Sequence, residues 1–246
     1  MHHFFEPHDL LSNGANAHYR IAKLPDSRRM APKFSFNTAQ TEENAPLGTE
    51  EEPGPSPLQT AAGVGDLPEV VILLQAGAEI NLLDPGWYGL TALQAACRGG
   101  HLDVVKLLLE KGADVNHPGG NNGGRTALQV AAYFGYMDVL EILLAKGARV
   151  DQAAARYNGR TALQAACEGG KVKMVRRLLV ETPDINAKPA FNSGRTALQA
   201  ACEAGNLAIV SDLLERGADV NARAAKYKGV TALREIILIY ICLRLM

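Results

Sequence analysis

The chain is poor in most features that announce a chemistry. It has one Trp, four Cys and six His in 246 residues, and its 25 basic side chains nearly cancel its 26 acidic ones. A net charge of −1 supplies no bulk attraction for nucleic acid, which is disfavoured as a partner. No apolar run reaches the roughly 18–20 residues of a membrane helix, so no span is expected. His2, His3, Glu6, His8 and Asp9 interrupt any apolar stretch at the N-terminus, so no secretory leader is expected. The expected compartment is the cytoplasm, with the nucleus as the alternative. Cys-x-x-Cys and His-Glu-x-x-His are both missing, and His101 and His117 stand sixteen residues apart. Neither a metal site nor a cofactor is expected.

What the chain has instead is a repeat. Thr-Ala-Leu-Gln-Ala-Ala begins at Thr91, Thr161 and Thr196, and Thr-Ala-Leu-Gln-Val-Ala begins at Thr126. Ser56 opens a divergent copy and Thr231 an incomplete one, so the starts fall thirty-five residues apart throughout. A fixed period of this size marks a solenoid, which grows by stacking units rather than by enlarging one core.

The second unit shows the local grammar. Thr91 is an N-cap, and Leu93, Ala95, Ala96 and Cys97 make a first helix of small residues that stops at Gly99-Gly100. Val104, Val105, Leu107, Leu108 and Leu109 recur at helical spacing and predict a second helix with one buried face, closed by Gly112. Cys97, Cys167 and Cys202 share one slot. Stacked helices lie about 8–10 Å apart and a disulfide needs Cα atoms within about 7 Å, so these thiols should be buried and unbridged.

On these residues the chain resembles the ankyrin repeat family. The family's Thr-Pro-Leu-His-x-Ala signature corresponds to Thr-Ala-Leu-Gln-Ala-Ala, and its closing pattern to Gly112-Ala113-Asp114-Val115-Asn116, which recurs from Gly77, Gly147 and Gly217. The resemblance implies an all-α ankyrin-repeat solenoid of helix-turn-helix units with β-hairpin or finger loops. Five units and the start of a sixth span residues 53–235, between a disordered segment at 1–52 and an apolar tail or aberrant cap at 236–246. Residues 50–52, three glutamates, read as a solvated tail or a dock for a basic partner.

Three departures stand out. The unit is two residues longer than the family's usual 33, so the fingers should be long. Gln94, Gln129, Gln164 and Gln199 replace the family's His, and an amide can still donate and accept. Thr182-Pro183 replaces Gly-Ala, and a β-branched residue fits a left-handed cap poorly, which predicts a reshaped, weaker helix end.

Candidate chemistry dissolves into this grammar. Gly119-x-x-x-x-Gly124-Arg125-Thr126 approaches a phosphate-binding loop, but Arg stands in place of Lys and Gly-Arg-Thr recurs at 159–161 and 194–196. We read the Gly as a positive-φ turn residue and the Thr as the next cap. Asp114, Asp184 and Asp219 recur in phase and are expected to be turn acceptors. No nucleophile, base and orienting group converge, so no enzyme is expected.

The resemblance implies protein–protein interaction as a module or scaffold, through a concave groove lined by fingers and first helices. Finger aromatics are Trp87, Tyr88, Tyr157, Phe191 and Tyr227. A row of Arg125, Arg160 and Arg195 precedes the caps, and the first helices end in Arg98, in Tyr133 with Phe134, in Glu168 and in Glu203. These are the expected partner contacts. Pairing of Arg160 with Glu168 and of Arg195 with Glu203 would cancel much of the field. The expected state is a monomer bound to another protein. The alternatives are a nucleic-acid binder using the Arg and aromatic groove, and a fragment or regulatory region of a larger, enzymatic protein.

Overall fold

A computed structural model describes residues 54–83, 89–120, 124–153, 155, 158–223 and 225. The expectations for residues 1–52, for the sixth unit and for the 236–246 tail lie outside the described residues. Among the described residues ten helices form five pairs: α1 (Pro57–Val64) with α2 (Leu67–Gln75), α3 (Ala92–Gly99) with α4 (Leu102–Glu110), α5 (Ala127–Phe134) with α6 (Met137–Ala145), α7 (Ala162–Glu168) with α8 (Val172–Val180), and α9 (Ala197–Glu203) with α10 (Leu207–Glu215). Among the described residues the finger loops hold no strand beyond an isolated bridge residue at Asn192.

Each first helix starts with a capping box. The hydroxyl of Ser56, Thr91, Thr126, Thr161 or Thr196 accepts from the backbone N–H three residues on, and the Gln at that position accepts from the cap N–H at 2.7–3.0 Å. The same Gln then donates through Nε2 to a carbonyl twenty-three residues ahead: Leu82, His117, Gln152, Ala187 and Ala222, at 2.8–3.1 Å. One amide thus fixes a helix start and the base of the following finger. This is the donate-and-accept role expected of the Gln that replaces His.

A side-chain ladder joins successive units. Asn81, Asn116, Asp151 and Asn186 each accept the backbone N–H thirty-three residues ahead at 2.8–2.9 Å. Asp114, Asp184 and Asp219 accept from the amide two residues on, so the in-phase aspartates are turn acceptors. His101 is structural in the same sense: its Nε2 lies 3.1 Å from the Gly63 carbonyl oxygen, and its ring covers the turn of the preceding unit.

Packing is closer between first helices than between second helices. The reason is side-chain size, since α3, α7 and α9 bury Ala, Cys and one Leu each, and α5 buries Ala, Val and one Leu. This makes the first-helix side the inner side of the curve. Cys97, Cys167 and Cys202 form no disulfide and are fully buried, and burial pushes the Cys97 and Cys167 thiols well above their ordinary value. The second helices bury pairs such as Val104-Val105 and Leu108-Leu109. In the first pair Glu69 holds the slot that Val104, Val139, Met174 and Ile209 fill, and Thr60 holds the slot of Ala95. Both are exposed, so the first unit presents polar groups where a preceding unit would pack.

Two expectations change. Thr182 keeps the left-handed cap, at φ 51°, where Gly77, Gly112, Gly147 and Gly217 have φ 83–91°. The cap is not reshaped. What is lost is a hydrogen bond: Ala78, Ala113, Ala148 and Ala218 donate to the carbonyl five residues back at 2.9–3.1 Å, and Pro183 has no N–H to do so. The glycines before the caps also differ from expectation. Gly124, Gly159 and Gly194 are not at positive φ; Asn158 and Ser193, one residue earlier, are. A Cβ at Gly159 would lie 2.2 Å from Ala155 N, and one at Gly194 equally close to Ala190 N. Glycine is required there because the finger folds its own backbone against itself.

Candidate interaction surface

The first helices end on the inner side, next to the finger residues that lead into the following cap. At the third unit Arg125 lies over the Tyr133 ring, 4.5 Å from its centroid. Tyr133 meets Phe134 edge-on at 5.1 Å, and Phe134 stacks on Tyr136 at 5.8 Å and 16°. Phe134 remains 39% exposed at the end of a helix whose preceding residues are mostly buried. Burial pushes the Tyr133 phenol up and Glu168 adds to the rise, while Arg125 and Arg160 lower it.

Glu168 sits between two arginines. Its Oε2 lies 3.1 Å from Arg160 Nε and accepts from Arg125 Nη2 at 3.4 Å. Glu203 binds Arg195 through both oxygens, with Nη2 donating to Oε1 at 2.7 Å. Both expected pairs therefore form, and the cross-unit bond from Arg125 to Glu168 is additional. The arginine row is largely compensated along the groove.

Arg160 differs from its expected role as a partner contact. It is only 4% exposed. Nη1 donates to the Asn158 and Gly159 carbonyls at 3.2 and 2.9 Å, and Nη2 to the Ser193 carbonyl at 3.1 Å. Its guanidinium ties one finger to the next and has no face to offer a partner. Burial lowers its proton affinity most, Glu168 raises it, and Arg195 and Arg125 lower it; an arginine stays charged regardless.

Of the other expected contacts, Arg98 is exposed at the end of α3 and Phe191 is 44% exposed on the fourth finger. Trp87, Tyr88, Tyr157 and Tyr227 lie outside the described residues. Tyr136 belongs to the aromatic cluster and was not expected in it. The signal was present: Asp66, His101, Lys171 and Asn206 occupy its slot elsewhere, and it alone carries a six-membered aromatic ring. Among the described residues no group of three or more His, Cys, Asp and Glu is placed to hold a metal. No described helix is long and apolar enough to cross a membrane.

Stacked capped helix pairs with finger loops at a constant period agree with a family comparison: a model described as ankyrin repeats (3 copies) matches residues 58–154 and 151–224. The chain belongs to the ankyrin repeat family. No curated protein matches it. Ankyrin repeats are generally protein–protein interaction modules and are typically non-catalytic.

Proposed function

We propose that this ankyrin array is a protein-binding scaffold, a cytoplasmic monomer whose contact surface is the inner groove centred on Tyr133 and Phe134. One observation carries the reading: a half-exposed aromatic cluster stands on a helix whose other faces are locked into the stack. Aromatic side chains on a rigid support bury large area at low entropic cost, as binding hot spots do. Arg125 and Glu168 adjoin the cluster, Arg98, Phe191, Arg195 and Glu203 extend the proposed contact surface along the array, and Arg160 ties the fingers together. Compensation of the arginine row by Glu168 and Glu203 supports a protein partner over a nucleic acid, because a phosphate backbone would meet both carboxylates.

Affinity capture with the full chain tests this reading, run beside the Tyr133→Ala, Phe134→Ala variant shown to be folded by circular dichroism. The reading expects a set of proteins captured by the wild type and lost with the variant. Identical captured sets would move the contact surface elsewhere.

A further inference from the structure

The fingers change charge along the array. Residues 81–90, 116–125, 151–160, 186–195 and 221–230 carry formal charges of −1, +1, +1, +2 and +3. Arg125 and Arg160 are held by Glu168, and Arg195 by Glu203. Lys188 and Arg223 remain exposed, with no anionic partner among the described residues. They hold the same slot in consecutive fingers. The bases of those fingers are tied together: Asn186 Oδ1 accepts from Asp219 N at 2.8 Å, and Asn186 Nδ2 donates to the Gly217 carbonyl at 3.1 Å. Phe191, 44% exposed, lies on the first of the two.

We propose that Lys188 and Arg223, on the fourth and fifth fingers, bind an extended acidic peptide segment of another protein, with acidic residues about three apart and an apolar residue between them. This rests on the groove reading above and names the partner chemistry. Neighbouring units repeat at about 8–10 Å, and a peptide in the polyproline II conformation advances about 3.1 Å per residue with about three residues per turn, so every third side chain returns to the same face about one unit further on. Two separate cations in register match discrete carboxylates. The carboxylates of Glu168 and Glu203 on the adjoining helices disfavour a continuous phosphate backbone.

The test is fluorescence anisotropy with the full chain at low salt. The probe is a labelled twelve-residue peptide with Glu at every third position, one Leu and otherwise Ser. A Gln-for-Glu counterpart and a twelve-nucleotide oligothymidine serve as comparisons. The expected result is binding of the Glu peptide, none of the Gln peptide, and a loss of about tenfold with Lys188→Glu, Arg223→Glu. Lys173→Glu, which changes an exposed charge on α8, should leave binding unchanged. No binding of the Glu peptide would overturn the proposal. So would an equal loss with Lys173→Glu, or oligothymidine binding as tightly as the peptide. If the peptide fails while Tyr133→Ala, Phe134→Ala still loses captured proteins, only the acidic-peptide inference falls; if that variant loses nothing, the groove reading falls with it.

Discussion

Gln164 shows how much one side chain carries in this frame. Its Oε1 accepts the Thr161 N–H at 3.0 Å in a buried bond, and its Nε2 donates to the half-buried Ala187 carbonyl at 2.9 Å. Gln164→Ala removes both bonds and leaves a buried donor and a half-buried acceptor without partners, so it should cost about 1–3 kcal/mol in urea denaturation. Thr182 is the opposite case. It occupies a left-handed cap at φ 51° that glycine fills in the other units. Thr182→Gly should raise stability by about 0.5–1 kcal/mol, the relief of a strained β-branched residue less the added unfolded-state entropy of glycine. A lower denaturation midpoint for this variant would show that Thr182 makes a compensating contact.

At the scale of the helix, position in the stack sets the energetics. Leu143 of α6 is fully buried between neighbouring pairs, whereas Leu73 holds the same slot in α2 and is only half-buried. Leu143→Ala should therefore cost about 2–5 kcal/mol and Leu73→Ala clearly less, measured as the difference between their urea midpoints. Equal losses would mean that α2 is covered as fully as an interior helix. Helix starts, helix ends and the buried faces were legible in the sequence because each depends on residues close together in the chain. Ser or Thr with Gln three residues later, glycines at the turns, and paired Val and Leu at helical spacing are local signals, and repetition made them plain. Arg160 was not legible. Its burial depends on carbonyls from two different fingers closing over the guanidinium, and nothing adjacent in sequence distinguishes it from Arg125 or Arg195. The role of Gly159 was misread for a similar reason: a close approach of finger backbone leaves the same glycine in the sequence as a positive-φ turn does.

Across the whole molecule the repeated parts build the frame and the non-repeated ones supply the surface. Caps, ladder and core recur with little variation, while the residue pair ending the first helix and the finger residues change from unit to unit. Variation confined to one side of a solenoid is what a binding face requires, since each unit contributes its stability through its neighbours regardless of what that side displays. Among the described first-helix ends, only the third unit carries an aromatic pair. The decisive measurement is the affinity of a captured partner, by calorimetric titration, for the wild type, for Tyr133→Ala, Phe134→Ala, and for an outer-face control carrying Arg176→Ala, Arg177→Ala. A groove centred on Tyr133 and Phe134 predicts at least a tenfold loss for the first variant, roughly 1.4 kcal/mol or more, and none for the second. Unchanged affinity in the folded aromatic variant, or a loss confined to the outer-face variant, would contradict it.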